Sequence, residues 1–569
     1  MDSKVITDEM TPEQENESRM ETVCGISSWK ETQQRPNNTV TTEEYPPKKV
    51  ILPAMAAIYL AVFLVALDRT IIGTAIPVIT NQFNSFGDVA WYEAGFLLPF
   101  CALQLSFGRV YKYYSTKWIL VALVAIFEIG SVVCAAAPTS NALIVGRVVS
   151  GIGAAGIASG SFMLITLLLP LQKRPKYAGG LGAVFGVASI LGPIAGGNLT
   201  QVSWRWCFWI NAAIGGVSLL LLLLVPDRAP PVKPATTWWG KIRQLDPLGF
   251  VLISSTTTCL LFALQWGGVQ YAWNDGRIIA LFVISGVLVI IFIAAQAWMK
   301  NDATVPWKVI SQRSILASCF AQAGIGPVLV GYAFYLPIWF QVIQGESPQS
   351  SGLSLLPLLL SNVIAVMVVG LATSKLGYYT PFMIVGGVVV ILGSALITTW
   401  TVNVGAGKWI SYQVCQVCCS CERTLILTKI VTGFGLGLVL QGPNVSAQTV
   451  LPDSEVSIGL SLLNFISLLG GSIFVTVSQT LMQNKLQQGL KDILPGVDIQ
   501  NVTNSGTIWL RTAVPSDKLL AVLRLYNDSI RAIWYLYVGL ACLILLSSLG
   551  LEWKNVKSQE HKQKAGDDP

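Results

Sequence analysis

The 569-residue chain is poor in charge and almost free of histidine. Charged residues make up 12% of it, against roughly 25% in soluble domains. Its one histidine, His561, lies near the C-terminal end, which excludes histidine-based metal sites and proton relays from the body of the chain. Neither a phosphate-binding loop nor an H-E-x-x-H motif is present. We therefore expect a protein that is not an enzyme and has neither a metal site nor a bound cofactor.

Hydrophobic residues are what the sequence has in excess. They account for 53% of the chain, and the mean hydropathy is +0.60. A chain of this length has no reason to be so apolar unless its solvent is a lipid bilayer. The net charge of +7 is modest, and basic cytoplasmic loops explain it better than nucleic-acid binding does. The composition predicts a membrane protein with no nucleic-acid partner.

Apolar segments long enough to cross a bilayer recur along the chain. A spanning helix needs roughly 20 apolar residues, and about fourteen segments qualify. Their centres lie near residues 60, 98, 127, 156, 188, 216, 256, 288, 327, 363, 390, 436, 469 and 541. Lys and Arg concentrate in alternate loops, which predicts that both ends are cytoplasmic. The polar stretch 1–49 has the composition of a disordered tail, and we expect no signal peptide in it.

Five charged residues fall within or beside the predicted spans. A charge inside the membrane is costly and indicates a functional site. The five are Asp68, Arg69, Glu93, Glu128 and Arg147. A buried carboxylate can exchange a proton and a nearby arginine can tune that exchange, so Asp68 and Arg147 are the candidate proton-coupling pair. The alternative is a structural ion pair or a position at the membrane interface, which is our interpretation of Arg69 and Glu93. Glu128 is a candidate cavity residue.

Small residues form a second pattern in the fifth span, "GGLGAVFGVASILGPIAGGNLT". Small residues allow helix backbones to approach closely, and a Gly-Pro step bends a helix. The candidate gating residues are Gly182, Gly186, Gly192, Pro193, Gly196 and Gly197. The alternative is ordinary small-residue packing, which does not require the Gly-Pro break or the double glycine.

Four stretches together resemble a known family. They are "ALDRTIIGTAIPVI" (66–79), "LIVGRVVSGIGAAGI" (143–157), "GVASILGPIAGG" (186–197) and "WRWCFWIN" (204–211). They resemble motifs of the first, fourth and fifth helices, and of the segment before the sixth, in major facilitator superfamily transporters. The resemblance is to the fourteen-helix drug:proton antiporter branch, and within it to fungal toxin and multidrug efflux pumps. It covers nearly all of residues 50–552.

The resemblance implies an all-α polytopic membrane protein with the major facilitator fold, two six-helix bundles plus two extra helices. The implied divisions are a tail (1–49), an N-terminal bundle (50–225), a linker with two helices (226–299), a C-terminal bundle (300–552) and a second tail (553–569). It further implies a monomer in the plasma membrane or an internal membrane. That monomer would export a hydrophobic metabolite, toxin or drug by alternating access in exchange for protons. The alternative is a siderophore or other solute carrier of the same superfamily.

The loop after the second span departs from the family pattern. In "GRVYKYYSTKW" (108–118), Gly108 fits, the adjacent Arg109 is a further candidate residue of the loop, and Lys117 keeps part of the positive charge. Lys112, however, stands where the family has an aspartate. The resemblance therefore predicts that a conformational lock built on that aspartate cannot operate here in the same way.

Polar residues on otherwise apolar spans are candidates for lining a substrate cavity. They are Gln104, Gln322, Gln441, Asn444 and Asn464. Hydrogen bonding between helices is the alternative role for each of them.

The last outer loop is predicted to be long, spanning 484–530. Asn501 and Asn527 in it are candidate glycosylation sites. The segment "SDKLLAVLRLYNDSIRAIWYL" has helical periodicity, which predicts a short amphipathic helix on the outer surface.

The densest cysteine cluster, "CQVCCSCE", interrupts the family pattern. Removing 414–429 leaves "GKWISYQIVTGFGLGLVLQGPN", one uninterrupted helix start. We interpret this in-frame segment as a retained intron of about 48 nucleotides, since each residue corresponds to three nucleotides. A genuine extra loop, a disulfide or a zinc site built on the thiols are the alternatives. A mature transcript that encodes Cys415 to Cys421 would rule the intron out.

Overall fold

The structure is a computed structural model that describes residues 46–83, 85, 88–227, 232, 235–268, 270–402, 419–493, 514 and 516–557. Most of the two predicted tails, Asn501, Cys415 and Cys418 lie outside these residues. Over the described ranges the chain forms helices and no strand, apart from an isolated bridge between Gly267 and Tyr271. The predicted all-α class is confirmed.

Six long helices make up the N-terminal half. They are α1 (Lys48–Phe83), α2 (Val89–Tyr113), α3 (Thr116–Ala136), α4 (Ser140–Leu168), α5 (Arg174–Val202) and α6 (Trp206–Leu223). Helix α1 packs on α5 and α6, whereas α4 packs on α2 and α3. Large apolar side chains such as Phe96, Tyr111 and Phe127 are buried between these helices.

Two further long helices, α8 and α9, lie between the halves in sequence and pack on each other. A short helix α7 (Trp238–Gln244) precedes α8 (Pro247–Trp266) and α9 (Gly276–Met299). Asp246, buried and at φ 49°, caps α8 by accepting a hydrogen bond from Gly249 N. Its second carboxylate oxygen accepts from Thr304 N at 2.8 Å, which ties the far end of α9 to the start of α8.

The C-terminal half contains the remaining helices. They are α10 (Trp307–Ile310), α11 (Arg313–Trp339), α12 (Pro348–Leu353), α13 (Leu356–Leu376), α14 (Thr380–Thr398), α15 (Cys419–Leu440), α16 (Gly442–Val450), α17 (Asp453–Ile493) and α18 (Ser516–Leu549). A π-helical turn, Phe340–Gln344, extends α11. Helix α11 packs on α17 and α18, and α15 packs on α13 and α14. This second bundle has its own core, around Tyr332, Trp339 and Tyr537.

Thirteen of these segments are long and apolar enough to cross a membrane. Helix α2 is the one predicted span that is less apolar, because it carries Glu93, Gln104, Arg109 and Lys112. Its 25 residues still extend over about 37 Å at 1.5 Å per residue, and it packs between α4, α8 and α17. With α2 the described chain has the fourteen long helices that the apolar pattern predicts.

The two bundles meet along two pairs of helices. Helix α5 packs on α13, and α2 packs on α17. The extra helix α8 also packs on α2. The N-terminal and C-terminal bundles therefore contact each other through helices that carry several of the predicted functional residues.

The predicted outer loop 484–530 is wrong at both ends. Helix α17 continues to Ile493, and α18 already begins at Ser516. The predicted surface helix is instead the first part of the continuous 34-residue α18. The periodicity predicted a helix correctly, but its apolar residues, Val522 and Ile530 among them, pack in the core of the second bundle.

The prediction that Asn527 faces outward as a glycosylation site is also wrong. Its side chain is 4% exposed. It accepts a hydrogen bond from Trp339 Nε1 at 2.8 Å and donates one to Trp400 O at 3.2 Å. The amide nitrogen that a glycan would occupy is therefore inside the bundle.

Part of the cysteine-rich segment belongs to α15. That helix begins at Cys419, and Leu425 and Thr428 are buried against the second bundle. Lys429 Nζ donates a hydrogen bond to Ser354 O at 2.9 Å. The retained intron stays a prediction, and the spliced transcript is its test.

Candidate functional site

Asp68 and Arg147 meet in the middle of the N-terminal bundle. Asp68 is on α1 and Arg147 on α4, and both side chains are 1% exposed. Arg147 Nη1 donates to Asp68 Oδ2, and Asn211 Nδ2 of α6 donates to Asp68 Oδ1 at 2.9 Å. Three helices thus place one carboxylate between a cation and an amide. Because a buried ion pair is stable only when its remaining lone pairs are also bonded, the amide completes the site.

Arg147 is held from three sides. Its Nε donates to Tyr92 O of α2 at 2.9 Å, and its guanidinium lies 4.6 Å from the centre of the Phe96 ring. Its Nη2 is buried without a hydrogen-bond partner among the described residues. The backbone of α2 and the aromatic ring therefore position the arginine independently of its ion pair with Asp68.

Asn211 is a site residue that the sequence analysis missed. It is fully buried on α6, and its Oδ1 has no donor among the described residues. It is the last residue of the "WRWCFWIN" stretch and an amide within an apolar helix. An isolated polar residue in a span was the signal that could have found it.

The glycines of α5 face two different helices. A Cβ on Gly182 would lie 2.8 Å from Val366 Cγ1 and one on Gly186 2.3 Å from Val363 Cγ2, both on α13 of the other bundle. A Cβ on Gly192 would instead lie 2.0 Å from Thr70 Oγ1 of α1. Gly196 also packs on α1, whereas Pro193 is exposed and Gly197 half-buried. Of the predicted gating residues, only Gly182 and Gly186 lie between the bundles.

We expect Gly186→Ala to destabilise the contact between α5 and α13. The new methyl group would overlap Val363 Cγ2, and valine rotates about χ1 only at a cost. Overpacking of this kind costs about 1–3 kcal/mol. The melting temperature of the purified protein should fall and should recover in Gly186→Ala/Val363→Ala, where the overlapping atom is gone. A double variant no more stable than Gly186→Ala would contradict the contact.

Lys112 of the altered loop motif pairs across the bundle interface. Its Nζ lies 2.7 Å from Glu455 Oε1, and the two side chains are 8% and 23% exposed. Arg174 Nη1, at the start of α5, lies 3.6 Å from Asp453 Oδ1. Both acids are in the first turn of α17, where the helix dipole favours negative charge. We call Lys112, Arg174, Asp453 and Glu455 the cytoplasmic ion-pair cluster, after the end to which the loop charges assign it.

The remaining loop-motif residues contact three different segments. Gly108 faces α17, where a Cβ would lie 2.9 Å from Ser461 Cβ. Arg109 is buried and donates to Asp302 O. Lys117 instead donates to Leu223 O at 2.9 Å, within its own bundle. Gly108 therefore contacts α17, the helix that carries both acids of the cluster, whereas Arg109 and Lys117 bond to other segments.

The candidate cavity residues fall into separate groups. Gln104 Nε2 donates to Ser159 Oγ at 2.7 Å, and Ser461 Oγ of the other bundle donates to the same oxygen at 3.0 Å. Gln441 accepts a hydrogen bond from Asn444 at 3.4 Å. Gln322 is buried on α11, and Asn464 is half-buried on α17. Glu128 is buried on α3, and neither carboxylate oxygen has a hydrogen-bond partner among the described residues.

Known proteins are similar to this chain along most of its length. Residues 58–475 match the Major Facilitator Superfamily. The chain is 42% identical over 503 residues to the "MFS-type efflux pump MFS1" of Arthroderma benhamiae, covering 88% of this chain and 91% of that protein. It is 40% identical over 518 residues to the "Rubrofusarin-specific efflux pump aurT" of Gibberella zeae, covering 91% and 92%. The solved proton:xylose symporter XylE has the same fold, with a TM-score of 0.54, 13% identity and coverage of 90% and 99%.

The chain belongs to the Major Facilitator Superfamily. It is a multi-pass membrane transporter of the kind represented by the fungal efflux pumps, as its motifs indicate.

Proposed function

We propose that this protein is a proton-coupled efflux transporter that exports a hydrophobic or amphiphilic fungal metabolite, with no cofactor other than the proton gradient. The observation that carries the proton coupling is the Asp68 carboxylate, buried with Arg147 and Asn211 between three helices. A charge inside a membrane-spanning bundle is costly and indicates a functional site. Its charge can change by one proton while Arg147 stays in place, held by Tyr92 O.

The direction of transport and the substrate class are supported by the relatives. Several are named efflux pumps, and the one from Gibberella zeae is named as specific for rubrofusarin. We propose a compound of comparable size and polarity for this chain. The site of action is the plasma membrane, and the transporting unit is a monomer.

Alternating access is the mechanism that fits two bundles joined by paired helices. The cytoplasmic ion-pair cluster holds the bundles together at one end in this structure. Proton binding at Asp68 from the outside and substrate binding from the cytoplasm would then favour opposite conformations. The proton and the substrate can each shift the conformational equilibrium only as far as they bind one conformation more tightly than the other. The small residues Gly182 and Gly186 let α5 approach α13 as the bundles rock.

Purified protein in proteoliposomes tests the proposal. With the lumen made acidic, rubrofusarin or a lipophilic fluorescent dye should accumulate inside against its gradient. Collapse of the pH gradient with a protonophore should release it. Accumulation that survives the protonophore, or that a sodium gradient drives instead, would contradict proton coupling. Failure of every hydrophobic probe would contradict the substrate class.

A further inference from the structure

Glu128 is a second carboxylate in the same bundle, and its surroundings differ from those of Asp68. It lies in the middle of α3 and is 9% exposed. Neither Oε1 nor Oε2 has a hydrogen-bond donor or a salt-bridge partner among the described residues. A buried charge without a partner is costly. The carboxylic acid is the form that these surroundings accommodate.

Helix α6 makes room for this side chain. A Cβ on Gly215 would lie 1.7 Å from Glu128 Oε1, so only a glycine lets the carboxyl group occupy this position. Gly216, the next residue, has nothing within 4 Å of the corresponding point. A side chain would therefore fit at 216, whereas Glu128 requires a glycine at 215.

The same face of α6 holds the Asp68 site. Asn211, which donates to Asp68, is four residues before Gly215, and residues so spaced are neighbours on one helix face. The Glu128 and Asp68 carboxyl groups thus approach α6 at successive turns. Side chains one helical turn apart have Cβ atoms about 5–6 Å from each other, so groups held at these two positions can interact. Asn211 Oδ1, on the same face, is a buried acceptor without a donor among the described residues.

Few other titratable groups face this layer. Helices α4 and α6 pack against α3, and Arg147 is the one charged residue on α4. Arg147 donates hydrogen bonds to Asp68 and to Tyr92 O. Helix α6 carries no charged residue and contributes the thiol of Cys207, while α3 contributes that of Cys134. Arg69 follows Asp68 on α1, but among the described residues Arg147 is the one cation that forms an ion pair with either carboxyl group.

We propose that Glu128 is a second proton-carrying residue, coupled to Asp68 through the shared face of α6. The proposal rests on the proton-coupled function proposed above. In the step itself, a proton from the outer water binds one carboxylate oxygen of Glu128. The same O–H bond later breaks towards the cytoplasm, and no other bond changes. Because Arg147 neutralises only one negative charge, ionisation of one carboxyl group disfavours ionisation of the other. The pair then titrates as a unit.

Infrared spectroscopy of the reconstituted protein tests this without a transport substrate. The C=O stretching band of a protonated carboxyl group should grow on titration from about pH 9 to about pH 5. Glu128→Gln should remove that band, and Asp68→Asn should shift its midpoint. Glu93→Gln is the matched control, since Glu93 is an exposed carboxylate on a neighbouring span, and it should leave the band unchanged.

The outcomes separate this inference from the proposed function. A spectrum of Glu128→Gln identical to wild type, or a band that does not titrate, would overturn the role of Glu128. In proteoliposomes, Glu128→Gln should reduce pH-driven accumulation about tenfold or more, while exchange of labelled for unlabelled probe continues. Equal loss of accumulation and of probe exchange would show a merely structural role for Glu128 and overturn the inference. Absence of pH-driven accumulation in the wild type would instead overturn the proposed function.

Discussion

Replacing Asp68 by asparagine is expected to reduce pH-driven export by about 100-fold, the scale of losing a positioned proton-transfer group. Asparagine keeps the size of the side chain and its hydrogen bond with Asn211 but cannot take up a proton. The measurement is accumulation of the probe in proteoliposomes with an acidic lumen. Glu93→Gln, which changes an exposed carboxylate, is the control and should transport normally.

Stability must be separated from coupling in this experiment, because Asp68→Asn leaves Arg147 buried without its counter-ion. Breaking a buried pair on one side costs about 3–5 kcal/mol. Asp68→Asn/Arg147→Gln removes both charges and should recover much of the melting temperature. It should remain inactive in pH-driven export. A stable double variant that still accumulates the probe would contradict the role of the pair.

Reversing the charge of Lys112 is expected to open the cytoplasmic end of the protein. Lys112→Glu places two carboxylates in contact at a site that is largely buried, and like charges so placed cost several kcal/mol. About 3 kcal/mol would shift the conformational equilibrium by a factor of about 150. Labelling a cysteine introduced at Ser461 with a membrane-impermeant thiol reagent measures the opening. Ser461 is fully buried against α2 in this structure.

The matched variant is the charge swap Lys112→Glu/Glu455→Lys. It restores an ion pair with the two charges exchanged, and it should return the labelling rate towards that of the wild type. The return should be incomplete, because a lysine in the first turn of α17 opposes the helix dipole by about 0.3–1 kcal/mol. If the swap labels as fast as Lys112→Glu alone, Lys112 and Glu455 do not hold the bundles together.

The parts of this protein that could be predicted from sequence are those governed by local patterns. Apolar runs of spanning length predicted the long helices, because in lipid the backbone N–H and C=O groups must form their hydrogen bonds within the segment itself. Charge within such a run identified Asp68 and Arg147 as candidate site residues, because burying a charge in a span has a high cost. The structure pairs them. Glycines predicted close packing of α5, although the sequence could not say which helix each of them meets.

The parts that could not be predicted depend on partners distant in sequence. Lys112 departs from the family motif, and only the fold shows that it meets Glu455, 343 residues away. The acidic first turn of α17, in "LPDSEV", was the available signal. Asn527 matches a glycosylation motif, yet α18 turns it towards Trp339. A short motif reports local sequence and carries no information about burial.

Proton entry driven by exit of the probe tests proton-coupled export most directly. Vesicles loaded with rubrofusarin and a pH-sensitive dye are diluted into probe-free buffer, with no pH gradient imposed. If export is strictly exchanged for protons, efflux of the probe should acidify the lumen, and Asp68→Asn should show neither acidification nor accelerated efflux. Efflux in the wild type without any change of luminal pH would contradict proton-coupled export.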